Sequence, residues 1–357
     1  MKVEHPERGD EARAWGPPFF EGSSVMFYAA NLNKRSLALD VKRGRDVLLR
    51  LVDSADVFLQ SLRPGTARRL GFGPDELRER NARLVYCDIG AFGRTGPLRD
   101  RPGYDPLMQA FGGLISVTGE PDRPGVRVGA SIVDQGTGMW AALGILAALH
   151  AGGGRTVDVS LFETAVGLLP YQLTAYLRNR EVPQRHGTAF PLIAPYQVFQ
   201  TRDGGLMVAV GNDGLFARLC QTLDLPEISA DPRFATNPDR LAHREQLVAA
   251  ISAAFADRSL ADVLQHLERA GVPAAPVNHV GQVAEHEQTA ALGLVQALPE
   301  PTVALPVSFE GQRLHHRRRP PRLGEHTTEI LSELGYSADQ VDELLASGVV
   351  SRVESNG

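Results

Sequence analysis

The chain has few cysteines and no excess of positive charge, and each shortage excludes a class of function. Cys87 and Cys220 are the only cysteines in 357 residues, so we expect neither a disulfide framework nor a bound metal. A net charge of −5 gives no basic footprint for nucleic acid. Residues 1–6 carry no apolar signal segment, and the longest apolar run, 139–149, is too short to span a bilayer. Together these shortages predict a cytoplasmic protein.

The chain is long enough to form more than one core. Its 43% hydrophobic and 22% charged residues are typical of a soluble globular protein. Composition turns polar just before Pro195, which suggests a boundary. We therefore predict a large domain over residues 1–185, a small domain over residues 186–300, and a return to the large domain over residues 301–357.

Strands and helices alternate in the first 90 residues. Predicted strands lie at 36–40, 55–60 and 84–89, with helices at 44–53, 66–70 and 74–81. This order favours an α/β fold with a parallel, doubly wound sheet. Longer helices are predicted at 104–118 and 162–178. In the small, α+β domain, alternating strands flank Arg202-Asp203-Gly204 as in a hairpin, and helices follow at 214–223, 244–256 and 260–270.

One stretch, residues 126–150, joins an extended apolar segment to a helix that we expect to be buried. Asp134 stands at the joint and is followed by Gly136 and Gly138. Small residues further along the helix would let it pack closely against a neighbour. Asp134 has two interpretations: a helix N-cap, which Asn would replace without loss, or a carboxylate nucleophile for acyl transfer, which Asn would abolish.

Several motifs in this order resemble the class III CoA-transferases, the family of formyl-CoA, carnitine and dicarboxylate CoA-transferases and of the related 2-methylacyl-CoA racemase. They include Arg-Pro-Gly at 63–65, Arg-Pro-Gly-Tyr-Asp at 101–105, Ser-Val-Thr-Gly-Glu-Pro at 116–121, Val-Arg-Val-Gly at 126–129, His-Gly-Thr at 186–188 and Leu-Gly-Glu-His-Thr at 323–327. The resemblance implies a Rossmann-like CoA-binding domain with a small α+β domain, in an interlocked homodimer.

The resemblance also implies a mechanism. The aspartate that matches Asp134 attacks an acyl-CoA thioester, and an aspartyl anhydride and then an aspartyl-CoA thioester carry CoA to a free carboxylic acid. An ionised Asp needs no general base at neutral pH. It does need oxyanion stabilisation, for which backbone N–H groups near Gly136 and Gly138 are candidates. No metal or redox cofactor is implied, and CoA itself is substrate and product.

The residues that match family contacts to CoA are spread over the first third of the chain. They are Leu37, Thr66 and Arg69, with Lys34 and Arg35 nearby as possible phosphate partners and Tyr104 further on. For each basic residue the alternative is an ordinary solvated charge.

Two departures bear on the choice of reaction. The racemase branch has a histidine where Tyr104 stands, and a tyrosine with a pKa near 10 is a poor base at neutral pH. Residues 189–192 replace the glycine-rich loop of the formyl-transferring branch, which disfavours an oxalate and formate pair. The Trp-Gly-Pro-Pro-Phe segment at 15–19 and the His-Gly-Thr-Ala segment at 186–189 resemble succinyl-CoA-dependent dicarboxylate transferases. His186 is either a carboxylate ligand or structural.

The start of the chain also departs from the family. Relatives carry about one strand and one helix before this point, so we expect that the first elements of the large domain are missing. A mass of 38.6 kDa for the native protein would contradict this expectation. The alternatives to a transferase are therefore a racemase of the same fold, or an inactive, truncated homologue that binds CoA or serves as a scaffold.

Overall fold

The computed structural model describes residues 1–298 and 300–353. The strands are β1 (Lys2–Glu4), β2 (Phe19–Phe20), β3 (Ser23–Ser24), β4 (Ser36–Leu39), β5 (Val57–Gln60), β6 (Val85–Gly90), β7 (Thr156–Ser160), β8 (Tyr196–Gln200), β9 (Gly205–Ala209), β10 (Ala274–Pro276), β11 (Val295–Leu298), β12 (Glu300–Val303), β13 (Ser308–Phe309), β14 (Gln312–Arg313) and β15 (Val350–Ser351).

Helices account for most of the remaining regular structure. They are α1 (Val25–Ala30), α2 (Arg45–Ser54), α3 (Thr66–Arg69), α4 (Pro74–Arg80), α5 (Asp105–Phe111), α6 (Leu114–Val117), α7 (Ile132–His150), α8 (Leu161–Gly167), α9 (Pro170–Asn179), α10 (Asp213–Leu223), α11 (Pro226–Ala230), α12 (Asn237–Ala242), α13 (Arg244–Ala256), α14 (Leu260–Arg269), α15 (Val280–Glu285), α16 (Glu287–Ala291), α17 (Thr327–Glu333) and α18 (Ala338–Ala346).

The chain divides into two compact units. Unit 1 contains Met1–Pro102, Gln135–Leu161 and Gln282–Gly357, and unit 2 contains Gly103–Asp134 and Phe162–Gly281. Unit 2 thus takes in 103–134 and 162–185, which the predicted boundary at residue 186 assigns to the large domain. The domain limits themselves stay a prediction.

Unit 1 has a mixed α/β architecture built on small sheets. The predicted strands at 36–40, 55–60 and 84–89 are β4, β5 and β6. They do not form one continuous doubly wound sheet. Instead β5, β6 and β7 form a parallel sheet. β4 lies in a second, mixed sheet, where it pairs in parallel with β1 and antiparallel with β15. Helices α2, α17 and α18 bury Val47, Ile330 and Val341 in one core with β4.

The N-terminal strand of unit 1 is anchored by a buried carboxylate. β1 pairs in parallel with β4, along the edge of its sheet. Glu4 accepts hydrogen bonds from the Arg13 guanidinium, with Nε 2.9 Å from Oε1, and from Ser36 Oγ at 2.7 Å. A preceding strand and helix remain a prediction from the family resemblance.

Unit 2 contains the predicted hairpin. β8 and β9 pair antiparallel, and β10 extends the sheet on the far side of β9. The predicted helices of this region match α10, α13 and α14 closely. Leu206 and Val208 of β9 pack with Phe199 and Phe255 in a core of their own. Burial of each such side chain contributes about 1.5–3 kcal/mol.

Two long predicted helices are interrupted in the structure. The helix predicted over 104–118 is split into α5 and α6 at Gly112 and Gly113, and Gly113 has φ +93°. The helix predicted over 162–178 is split into α8 and α9, and Pro170 begins the second. Because Pro lacks an N–H and excludes the preceding residue from helical geometry, the chain restarts there.

Helix α7 packs through a narrow face. A Cβ on Gly144 would lie 2.6 Å from Val157 Cγ1 of β7, so the small residue permits the close approach that the sequence predicts. The opposite face is not buried within the chain, contrary to expectation: Met139 and Leu146 are each 62% exposed. At 19 residues with mean hydropathy 1.3, α7 is long and apolar enough to cross a membrane, a test that core helices of soluble proteins also pass.

Candidate active site at the start of helix α7

Asp134 lies in the first turn of α7, two residues after the helix begins at Ile132. Its side chain is exposed within the single chain, so a thioester can reach the carboxylate. Partial burial raises the pKa of the Asp134 carboxyl, and the negative charge of Asp105 raises it further. A carboxyl that faces a like charge is more basic than usual, which makes its ionised form a better nucleophile.

The capping role at this helix belongs to Asp105, not to Asp134. The backbone N–H groups of Val133 and Asp134 donate to Asp105 Oδ2 at 2.8 and 3.1 Å. The first N–H groups of an α-helix precede its own hydrogen-bond ladder, and here Asp105, from outside the helix, accepts two of them. The N-cap interpretation of Asp134 is therefore wrong, because the helix starts earlier than the sequence pattern indicates and its free donors are taken by α5.

A buried amide supports this cap. Gln109 Nε2 donates to Asp105 Oδ1 at 2.6 Å, and Gln109 Oε1 accepts the Val128 N–H at 2.8 Å. Asp105 is 3% and Gln109 0% exposed. The segment before α7, predicted as a strand, pairs with no sheet in the described part of the chain and is held by this side chain instead.

The two glycines after Asp134 lie within the helix. In an α-helix each N–H beyond the first turn donates to the carbonyl four residues earlier. The N–H groups of Gly136 and Gly138 are therefore engaged along α7. The oxyanion role predicted for them is not supported by this geometry and stays a prediction.

His186 lies in the same unit as Asp134. The Gly187 N–H donates to the Gly119 carbonyl at 2.9 Å, which joins the His-Gly-Thr segment to the Ser-Val-Thr-Gly-Glu-Pro segment. Burial lowers the pKa of His186, and the positive charge of Arg244 lowers it further. The Arg244 guanidinium holds the next loop, donating to the Phe190 carbonyl at 2.9 Å.

Tyr104 also lies in unit 2, one residue before Asp105. It takes the N-cap position of α5 and its side chain is 52% exposed. The other predicted CoA contacts, at 34–69, are in unit 1.

The residues predicted to contact CoA around β4 are more heavily engaged than the sequence suggests. Leu37 is 0% exposed, so its side chain is not available to a nucleotide. Arg35 pairs with Glu329 at 2.7 Å and with Glu333 at 2.6 Å. Lys34 Nζ donates to the Ala30 carbonyl at 2.9 Å, and burial lowers its pKa. Arg35 is thus neither a solvated charge nor an open phosphate ligand.

The Arg-Pro-Gly turn leads into α3. Gly65 adopts φ +74°, a conformation that a residue with a side chain rarely takes. Thr66 begins the helix, and Arg69 Nη2 donates to Thr66 Oγ1 at 2.8 Å. Thr66 and Arg69 therefore lie side by side, and Arg69 is exposed.

The sequence did not single out Asp105, Gln109 or Arg244. Asp105 ends the Arg-Pro-Gly-Tyr-Asp motif, so its position was a signal, but its burial and its contact with α7 follow from the tertiary fold. Gln109 lies one helical turn after Asp105, which was the available hint that the two side chains share a face.

Comparison with known proteins decides the family. Residues 1–327 match the family model for CoA-transferase family III. The chain belongs to this family. This CoA-transferase is 36% identical to succinyl-CoA:glutarate CoA-transferase of Mus musculus, covering 99% of the chain and 84% of the relative. It is 38% identical to succinate–glutarate CoA-transferase of Agrobacterium fabrum, covering 94% and 88%.

A solved structure agrees with this assignment. The crystal structure of a CAIB/BAIF family protein from Brucella suis superposes with a TM-score of 0.83 at 38% identity, over 93% of this chain and 91% of that one. The predicted family and the prediction of a CoA-transferase are thus confirmed. The α/β fold is confirmed as a mixed architecture with small sheets.

Proposed function

We propose that this CoA-transferase moves CoA from a dicarboxylic acyl-CoA, such as succinyl-CoA, to a second free dicarboxylate, with Asp134 as nucleophile. The observation that supports the proposal most directly is the exposed Asp134 carboxylate on a helix start that Asp105 holds from beneath. The names of the Mus musculus and Agrobacterium fabrum relatives support the substrate class.

The chemistry needs no proton transfer. An Asp134 carboxylate oxygen attacks the thioester carbonyl, the C–S bond breaks, and CoA thiolate leaves a mixed anhydride. The thiolate attacks the Asp134 carbonyl carbon and releases the donor acid, which gives an aspartyl-CoA thioester. The acceptor carboxylate then displaces the thiolate to form a second anhydride. Attack of the thiolate on the acceptor carbonyl yields the new acyl-CoA and regenerates Asp134.

We propose that His186 binds the distal carboxylate of the acceptor. The lowered pKa of His186 favours the neutral imidazole at pH 7, which donates one N–H to a carboxylate oxygen. Arg244 holds the loop that follows, through the carbonyls of Phe190 and Pro191. Loss of His186 is therefore expected to raise KM for the acceptor more than KM for the donor.

We assign CoA binding to polar groups of unit 1. Tyr104, in unit 2, stays a CoA contact that the resemblance predicts. Arg69 and Thr66 are placed together at the start of α3, and an exposed guanidinium suits a phosphate. Lys34 is a second candidate, whereas Leu37 would contribute only through its backbone. CoA acts as substrate and product, and the proposed reaction uses no metal or redox cofactor.

We further propose an intertwined homodimer in the cytoplasm. The exposed apolar face of α7 supports a partner: Met139 is 62%, Leu143 56% and Leu146 62% exposed. Apolar patches of this kind mark protein interfaces. Light scattering on the purified chain would give twice 38.6 kDa, and Leu143→Glu is expected to shift the mass toward the monomer.

The reaction is tested by trapping its intermediate. Purified protein is mixed with succinyl-CoA and glutarate, and glutaryl-CoA is measured by chromatography. Hydroxylamine added during turnover should place a hydroxamate on Asp134, detectable by mass spectrometry. In D₂O a racemase would instead exchange the α-proton of a branched acyl-CoA, and an inactive homologue would give neither signal. Absence of both glutaryl-CoA and the adduct would refute the proposed function.

A further inference from the structure

Two buried polar side chains lie directly beneath the first turn of α7. Asp105 is 3% exposed and Gln109 is 0% exposed, and both come from α5. Burial of a carboxylate is costly unless donors are aimed at it, and here both oxygens have them. Oδ2 accepts the N–H groups of Val133 and Asp134, and Oδ1 accepts Gln109 Nε2.

We propose that Asp105 and Gln109 are a pair of positioning residues that fix the direction of the Asp134 carboxylate. The inference rests on the proposed role of Asp134 as nucleophile. Because the Asp134 N–H is itself one of the donors, the backbone that carries the nucleophile is held directly. Gln109 in turn orients Asp105 and ties the segment before the helix to it through the Val128 N–H.

The charge on Asp105 gives the pair a second effect. Asp105 Oδ2 lies at the N-terminus of α7, where the first N–H groups and the helix dipole stabilise a negative charge. That charge opposes ionisation of Asp134 and raises its pKa, in addition to the larger contribution from burial. The pair thus orients the nucleophile and increases its basicity, whereas a purely structural cap would only stabilise the helix.

The first test is Asp105→Asn. The new amide oxygen still accepts the N–H groups of α7, but the NH₂ group faces Gln109 Nε2, so two donors oppose each other. We expect kcat to fall about 10- to 100-fold from misplacement of the nucleophile. KM for succinyl-CoA should stay within about twofold, since Asp105 is buried and does not contact substrate in this proposal. The acidic limb of the kcat/KM profile should move to lower pH, because a like charge has been removed.

The second test exchanges the two chemical groups. In Asp105→Asn combined with Gln109→Glu, the amide NH₂ introduced at position 105 can donate to the new carboxylate at position 109, whose second oxygen accepts the Val128 N–H. The two short hydrogen bonds of Gln109 are then restored, whereas its 3.4 Å contacts with the Val128 and Ala130 carbonyls are lost. We expect kcat to recover to within about fivefold of wild type, because orientation is regained. Circular dichroism and thermal melts check that both variants fold.

Amide hydrogen exchange supplies a readout that does not depend on turnover. The amides of Val133 and Asp134 should exchange faster in Asp105→Asn, because a neutral amide oxygen accepts their hydrogen bonds more weakly than a carboxylate. They should regain part of their protection in the double variant, where the side-chain amide at position 105 is oriented again. A folded Asp105→Asn with wild-type kcat, an unshifted acidic limb and unchanged protection would overturn the inference. A folded double variant, Asp105→Asn with Gln109→Glu, whose kcat is no higher than that of Asp105→Asn would also overturn the inference. If the wild-type protein transfers no CoA, the proposed function fails. Amide hydrogen exchange at Val133 and Asp134 still shows whether Asp105 and Gln109 hold the start of α7.

Discussion

Two carboxylates, Glu4 in unit 1 and Asp134 in unit 2, have opposite surroundings. Glu4 is 5% exposed and accepts hydrogen bonds from the Asp10 N–H, the Arg13 guanidinium and the Ser36 hydroxyl. Asp134 is exposed, and the charged group that acts on it is another carboxylate, Asp105. A charge surrounded by donors stabilises a fold, whereas a charge set beside a like charge costs stability and is typical of a functional site.

The largest expected effect is on activity, at Asp134. Asp134→Asn should lower CoA transfer by about a thousandfold or more, because an amide is a poor nucleophile toward a thioester. The helix keeps its cap at Asp105, so the variant should fold. Glutaryl-CoA formation and circular dichroism measure the two properties. A folded variant with near-normal transfer would remove the contrast with Glu4.

The same change at Glu4 should affect stability instead. Glu4→Gln leaves the Arg13 guanidinium partly unpaired in a buried setting and should cost about 3 kcal/mol of unfolding free energy. Transfer per folded molecule should be unchanged, since Glu4 has no assigned role in the reaction. Urea denaturation and active-site titration separate the two quantities. A drop in kcat without a loss of stability would assign Glu4 to the reaction.

Arg35 extends the comparison to a partly exposed ion pair. Arg35→Gln breaks its contacts with Glu329 and Glu333 and should cost about 0.5–1 kcal/mol. KM for succinyl-CoA should not change, because these two partners occupy the guanidinium. Arg69→Gln is the matched variant, for which KM should rise. A higher KM for succinyl-CoA in Arg35→Gln would support the predicted contact of Arg35 with a CoA phosphate.

Gly138 tests how far the functional region extends along α7. A Cβ at this position would meet no atom within 4 Å, and Ala favours a helix by about 0.8 kcal/mol over Gly. Gly138→Ala should therefore be slightly more stable with unchanged kcat. Thermal melts and steady-state kinetics measure both. Loss of kcat in the more stable variant would show that substrate approaches the helix closely here.

The smallest effect is the pH dependence of stability. The pKa of Asp134 is raised in the folded protein, so the folded state holds this proton more tightly than the unfolded state. The Asp134 side chain therefore costs stability as pH rises from its unfolded pKa through its folded pKa. Asp134→Asn should melt about 1 °C higher than wild type at pH 7, and the difference should vanish below the unfolded pKa of Asp134, at about pH 3. A constant difference across this range would contradict the raised pKa.

Local patterns were enough to predict much of the fold. The hairpin of β8 and β9 follows from alternating residues around Arg202-Asp203-Gly204, and α13 begins and ends where the apolar spacing does. The breaks at Gly113 and Pro170 were missed, although both residue types interrupt helices. For Asp134, position in the chain and resemblance to the family singled out the residue. The residue pattern left open whether it caps the helix, and the hydrogen bonds to Asp105 decide against that.

The sequence by itself determined the family, the chemical class of the reaction and the residue expected to attack, since each depends on residue identity and order. Only the tertiary structure decided that Asp105 rather than Asp134 caps α7, that Glu329 and Glu333 occupy Arg35, and that the wide face of α7 is uncovered within the chain. The reason is physical: a donor takes whichever acceptor the fold brings within about 3 Å, and residues 29 to 298 positions apart meet only through packing.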